Sequence, residues 1–141
     1  MKTIIAILMI AGTSAFCCGD YGIQEVVKTH LNAIETGNKE MLKSAWADTG
    51  AQVVEIKNGK VNVKDTEKTF TLWTAAKNPK LNGRILSVSK MTDELSVVKV
   101  SLNWQGADYT EILTLSKKEN KWKIINKTYI VPKSASGGYG I

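Results

Sequence analysis

The feature that most constrains this chain is its second half, where four strand-like runs follow one another from Arg84 to Val131 after three helical segments. In full, the order reads helix, helix, short hairpin, helix, then a meander of four strands. That order predicts an α+β fold in which three N-terminal helices pack on a curved antiparallel sheet, forming a cone-like barrel with a pocket between helices and sheet. With 141 residues there is material for one domain and not for two.

The local signals behind this order are specific. Ile23, Val26, Val27, Leu31 and Ile34 recur at the three-four spacing of a single helix stripe, and His30 lies on the same stripe. Gly37 is placed to end that helix in the left-handed conformation, and Asn38 to start a second one carrying Met41, Leu42, Ala45 and Trp46 on one face. Gln52 to Lys57 and Lys60 to Val63 flank Asn58-Gly59, a pair suited to a two-residue hairpin turn with positive φ at both positions. Asp65 caps a third helix with Phe70, Trp73 and Ala76 at helical spacing, and Asn78-Pro79 stops it. In the meander, Val98, Val100, Leu102 and Trp104 share a face, as do Tyr109, Glu111, Leu113 and Leu115. Strict alternation in the last strand sets Trp122, Ile124, Asn126, Thr128 and Ile130 against Lys123, Ile125, Lys127, Tyr129 and Val131.

The ends read differently. Lys2, the apolar run Ile4 to Ala11 and the small residues Gly12 to Ala15 predict an export signal over residues 1–15, with the mature protein periplasmic or secreted. The apolar run is too short to span a bilayer as a helix. Residues 16–22 are expected as a flexible tail, 23–132 as the folded domain and 133–141, rich in small residues, as a disordered tail. Cys17 and Cys18 raise a lipoprotein reading, but Phe16 or Cys17 stands where such signals carry a small residue. Adjacent cysteines are poorly placed to bridge each other, so the core alone must hold the fold.

Removal of the leader leaves eighteen basic and thirteen acidic residues, a net charge of +5. The lysines are scattered and Arg84 is the only arginine, which argues against nucleic acid as a partner. One histidine, no cysteine pair beyond the tail and no carboxylates at ligand spacing leave no metal site in the sequence, and nothing calls for a cofactor.

The helix pair from Val26-Val27-Lys28-Thr29-His30-Leu31 through Thr36-Gly37-Asn38 to Trp46-Ala47-Asp48, with the closing strand Asn120-Lys121-Trp122-Lys123-Ile124-Ile125-Asn126-Lys127, resembles the nuclear transport factor two-like, or cone-fold, superfamily. The resemblance covers residues 23 to 131 and is to the exported lumazine-binding and SnoaL-like groups. It implies a pocket used either for binding or for cofactor-free isomerase and lyase chemistry, since this one scaffold hosts both.

His30 falls where the steroid-isomerase-like members carry an oxyanion-stabilising tyrosine, so the resemblance makes it a hydrogen-bond donor. The plainer reading is a core histidine bonded through one nitrogen. The general base of those enzymes, an aspartate on the first strand, is absent, and only a one-residue gap brings Glu55 to its place. Glu55 is then a base in a dry pocket or a surface charge on the hairpin. Asp108 and Glu111 lie on opposite faces and cannot form a carboxylate pair, and cross-strand pairing with lysine is the simpler role. Trp46, Trp73, Trp104 and Tyr109 are candidates for lining a ligand pocket, or for core.

Two functions are therefore expected. The first is an exported binding or accessory domain that holds a small apolar molecule or forms a homodimer through the sheet. The second is a cofactor-free lyase or isomerase with Glu55 as base and His30 as donor, which requires both side chains to face one cavity.

Overall fold

The computed structural model describes residues 18–135, with side chains from Tyr21 onward. Its elements are α1 (Cys18–Thr36), α2 (Lys39–Ala45), β1 (Gln52–Lys57), β2 (Lys60–Lys64), α3 (Thr66–Thr74), β3 (Arg84–Lys90), β4 (Leu95–Trp104), β5 (Ala107–Lys118) and β6 (Lys121–Ile130). Three helices cover one face of a single six-stranded sheet of order β2-β1-β6-β5-β4-β3, which does not close. The export signal expected at 1–15, Cys17 and residues 136–141 lie outside the described residues.

Turn and cap chemistry fixes the element ends. Asn38 N–H bonds to Ala33 O and Gly37 N–H to Ile34 O, the double C-cap that a glycine at φ 71° permits. Asn58 and Gly59 both take positive φ, 52° and 75°, in the β1–β2 hairpin. The Asp65 carboxylate accepts the Lys68 N–H at 2.8 Å and starts α3. Helix α1 begins at Cys18, so residues 18–22 are helical where a flexible tail was expected. The added turn packs on β6: a Cβ on Gly22 would stand 3.3 Å from the Trp122 ring, so the bare glycine lets the helix approach the indole. Residues 133–135 form a turn at which Ala135 N–H bonds to Pro132 O.

Two expectations about the sheet need correction. It is mixed and not antiparallel throughout, because β1 runs parallel to β6. Before β1 starts, Trp46 already bridges Ile124 in parallel and Ala47 N–H bonds to Ile124 O, so the loop lays the chain alongside β6 in the same direction. Second, β6 does not alternate strictly. Leu115 pairs with Ile124 but Thr114 pairs with Asn126, leaving Ile125 as an extra residue in a β-bulge. Trp122 and Ile124 face the helices before the bulge, and Lys127, Tyr129 and Val131 face them after it, in place of Thr128 and Ile130.

The core lies between α1, α3 and the inner face of the sheet. Ile23, Val27 and Ile34 of α1 meet Val98, Val100, Leu113 and Leu115 of the sheet, all fully buried. Trp46 and Trp73 are buried between helices and sheet, with Phe70 4.9 Å from Trp46 between ring centroids.

Candidate functional site

Strand register assembles the interior polar groups. One row across the inner face is Glu55 on β1, Tyr129 on β6 and Glu111 on β5; the next is Val53, Lys127 and Leu113. Tyr129 OH donates to Glu55 Oε2 at 3.1 Å, and Lys64 Nζ on the edge strand lies 3.6 Å from Glu55 Oε1. Diagonally across the rows, Lys127 Nζ is 2.9 Å from Glu111 Oε2, and both side chains are wholly buried. The ammonium also sits 3.9 Å from the centroid of the Trp73 indole, a desolvated cation–π contact worth on the order of 2 kcal/mol. Burial lowers the Lys127 pKa, while the Glu111 carboxylate works in the opposite direction.

His30 completes the cluster from the helix side. Trp46 Nε1–H donates to His30 Nδ1 at 3.1 Å, and the rings of Trp46 and Trp73 stand 5.7 and 6.0 Å from the imidazole. An indole nitrogen can only donate, so Nδ1 is the acceptor and the proton of the neutral ring sits on Nε2. Burial, and next the charge of Lys127, hold the His30 pKa well below the ordinary histidine value. The imidazole is therefore neutral at pH 7. Tyr109 lies on the same inner face, 6.2 Å from Tyr129 between centroids; burial first, and then the two glutamates, push its hydroxyl pKa up. Burial and Glu55 do the same, more strongly, to Tyr129.

The structure brings His30, Trp46 and Trp73 together, with Trp73 against Lys127, and places Glu55 and Tyr109 at the neighbouring Tyr129. Trp104 is apart, half-buried at the end of β4, where with Tyr109 it borders a recess of about 80 Å³ under Ala135. Larger hollows, of about 620, 500 and 350 Å³, open elsewhere on the surface, and neither His30, Glu55 nor Trp73 lines any of them. His30 and Glu55 share none of these hollows: His30 packs against the Trp46 and Trp73 rings, and Glu55 accepts from Tyr129. Glu55 is neither a base in an open pocket nor a surface charge, but a buried acceptor for Tyr129. Asp108 points outward and Glu111 inward, and Glu111 finds its lysine across the strands as expected.

Sequence reasoning missed Lys127 and Tyr129. The apolar residues of β6 carry no clear signal, because Ile124 and Ile125, and again Tyr129 and Ile130, stand on both parities of the strand. Among the described residues no three His, Cys, Asp or Glu side chains gather as a metal site, and no helix is long and apolar enough to cross a membrane.

Three helices on one face of an open six-stranded sheet give the chain a nuclear transport factor two-like fold. The chain belongs to the family described as "Putative lumazine-binding", whose model matches residues 20–130. Among solved structures, it is similar to a nuclear transport factor two-like protein of unknown function from Methylobacillus flagellatus, with 21% identity, coverage of 84% of this chain and 96% of that one, and a TM-score of 0.71. A counterpart from Shewanella baltica gives 15% identity, 78% and 90% coverage and a TM-score of 0.69. The association domain of C. elegans CaMKII gives 16%, 78%, 93% and 0.62. No curated protein matches the chain.

Proposed function

We propose that this protein is an exported, non-catalytic domain that binds a small molecule at the interior polar row and pairs with a second copy through the outer face of its sheet. The observation that carries the binding reading is the wholly buried Glu111–Lys127 pair beneath Trp73. Apolar residues of the same volume in place of such a pair commonly leave stability unchanged or raised, so packing alone does not explain it. A flat ligand has a defined place there. If the Trp73 indole swings aside with α3, the ligand stacks over the ammonium in its stead and meets Glu111 and Lys127 edge-on. The family description, which names lumazine binding, supports a ligand of this flat and polar kind.

The isomerase reading is weaker, because the Glu55 carboxylate is engaged by Tyr129 and Lys64 and His30 is wholly buried against the Trp46 and Trp73 rings. The pairing reading rests on the outer face. There Val61 (67% exposed), Val63 (66%) and Ile130 (61%) adjoin Val54, Ile56 and Ile112 in neighbouring register positions. A CaMKII association domain on the same fold is consistent with assembly. The export part of the proposal rests on the apolar run Ile4 to Ala11 and the small residues Gly12 to Ala15, with the mature protein expected to begin at Phe16.

Native mass spectrometry of protein purified from its own host tests the binding reading. The parent is expected to retain a small molecule, and Glu111→Leu/Lys127→Met to lose it while still folding cooperatively. A ligand-free parent, or a ligand held equally by the double variant, overturns it.

A further inference from the structure

The geometry points to a second site, on the outer face of the sheet: a hollow of about 620 Å³ that takes a small zwitterion, its carboxylate on Arg84 and its ammonium on Asp108. The register puts Arg84, Ser101 and Thr110 in one row across β3, β4 and β5, and Asn103 and Asp108 in the next, all pointing away from the helices. The volume is that of a site for a small molecule, and Leu102 and Tyr109 add apolar surface to the polar groups that line it.

Two charged groups of opposite sign face this hollow. Arg84 is the only arginine in the chain, and among the described residues no carboxylate pairs with it. Its planar fork suits a carboxylate held by two parallel hydrogen bonds. Asp108 is fixed in advance: Asn103 Nδ2 donates to its Oδ1 at 2.9 Å, and Gly106 N–H donates to Asn103 Oδ1 at 3.1 Å. Because both ends of the Asn103 amide are engaged, its orientation is set by the Gln105-Gly106 turn, and Asp108 Oδ2 takes no part in the relay. A simple anion would gain Arg84 but meet Asp108, and a simple cation the reverse. Only a molecule carrying both charges satisfies both groups, with the Ser101 and Thr110 hydroxyls left to bond the remainder. The site lies at the β3–β5 side of the sheet, away from the apolar corner formed by β1, β2 and β6.

The site is independent of the interior pair, which makes its test independent too. An amide-resolved NMR titration with glycine, β-alanine and γ-aminobutyrate spans increasing charge separation, with acetate and ethylammonium as controls. At least one amino acid is expected to shift the amides of residues 101–110 saturably, and neither control to do so. Arg84→Gln and Asp108→Asn should each weaken binding roughly tenfold, the scale of one charge-assisted contact. Glu111→Leu/Lys127→Met should leave it unchanged. No saturable shift with any of the three, or saturation indifferent to Arg84→Gln and Asp108→Asn, overturns the proposal.

Discussion

Lys127 is the residue on which the interior depends. Its ammonium has Glu111 on one side and the Trp73 ring on the other, so removing it strands a carboxylate that water does not reach. Lys127→Met is expected to cost about 3–5 kcal/mol, whereas Glu111→Leu/Lys127→Met should be near neutral or stabilising. Urea unfolding of the two variants checks the contrast, and equal losses would mean that the pair is a net structural contributor. His30 gives a second test at this scale. Its folded pKa is depressed, so below the unfolded value of about 6.5 the unfolded chain binds a proton that the folded chain does not. Stability should hold above that pH and fall below it, with a slope approaching about 1.4 kcal/mol per pH unit. As the chain has a single histidine, His30→Gln should flatten the profile between roughly pH 5 and 7 when unfolding is followed across that range.

At the scale of elements, two glycines with the same backbone demand separate conformation from packing. Gly37 and Gly59 have φ of 71° and 75°, but a Cβ on Gly37 would lie 3.2 Å from the Thr74 carbonyl oxygen whereas one on Gly59 meets nothing. Gly59→Ala should therefore show only the conformational cost, about 1 kcal/mol, and Gly37→Ala that cost plus displacement of α3 from the end of α1. Thermal unfolding of both variants measures the difference, and equal shifts would place the whole effect in the backbone. Such local devices are the legible part of this sequence: the Gly37 cap, the Asn58-Gly59 turn, the Asp65 cap and the alternation of β4 and β5 all stand where the residues put them. The bulge in β6 was not legible from period-two counting. One extra residue, Ile125, keeps composition and length plausible while exchanging the faces of Lys127 and Thr128, which is why the pair at the heart of the site escaped notice. The parallel pairing of β1 was hidden for another reason. A strand's own pattern tells which face is buried, but not which neighbour it joins or in which direction.

For the whole molecule, the sheet has one face under helices and another with an apolar corner open to water. Val54 pairs with Val63 and Thr128, and Ile56 with Val61 and Ile130, so these side chains form a continuous patch across three strands. Ile112 extends the patch onto β5 through its pairing with Thr128. A single copy leaves Val61, Val63 and Ile130 about two-thirds exposed, which scattered surface residues do not reproduce as a block. A two-fold partner would cover the patch with the same patch, because a self-paired interface must be complementary to itself and an aliphatic surface meets that condition without charges to align. Ile130 belongs to the patch beside Ile56. Ile130→Asp would then put a carboxylate into the apolar interface of the dimer, while in the isolated domain it only replaces one exposed side chain by another. The expected outcome in sedimentation equilibrium is a dimer for the mature protein and a monomer of unchanged fold for Ile130→Asp. A parent that remains monomeric at high concentration would remove the second copy from the proposal and leave the patch to another partner.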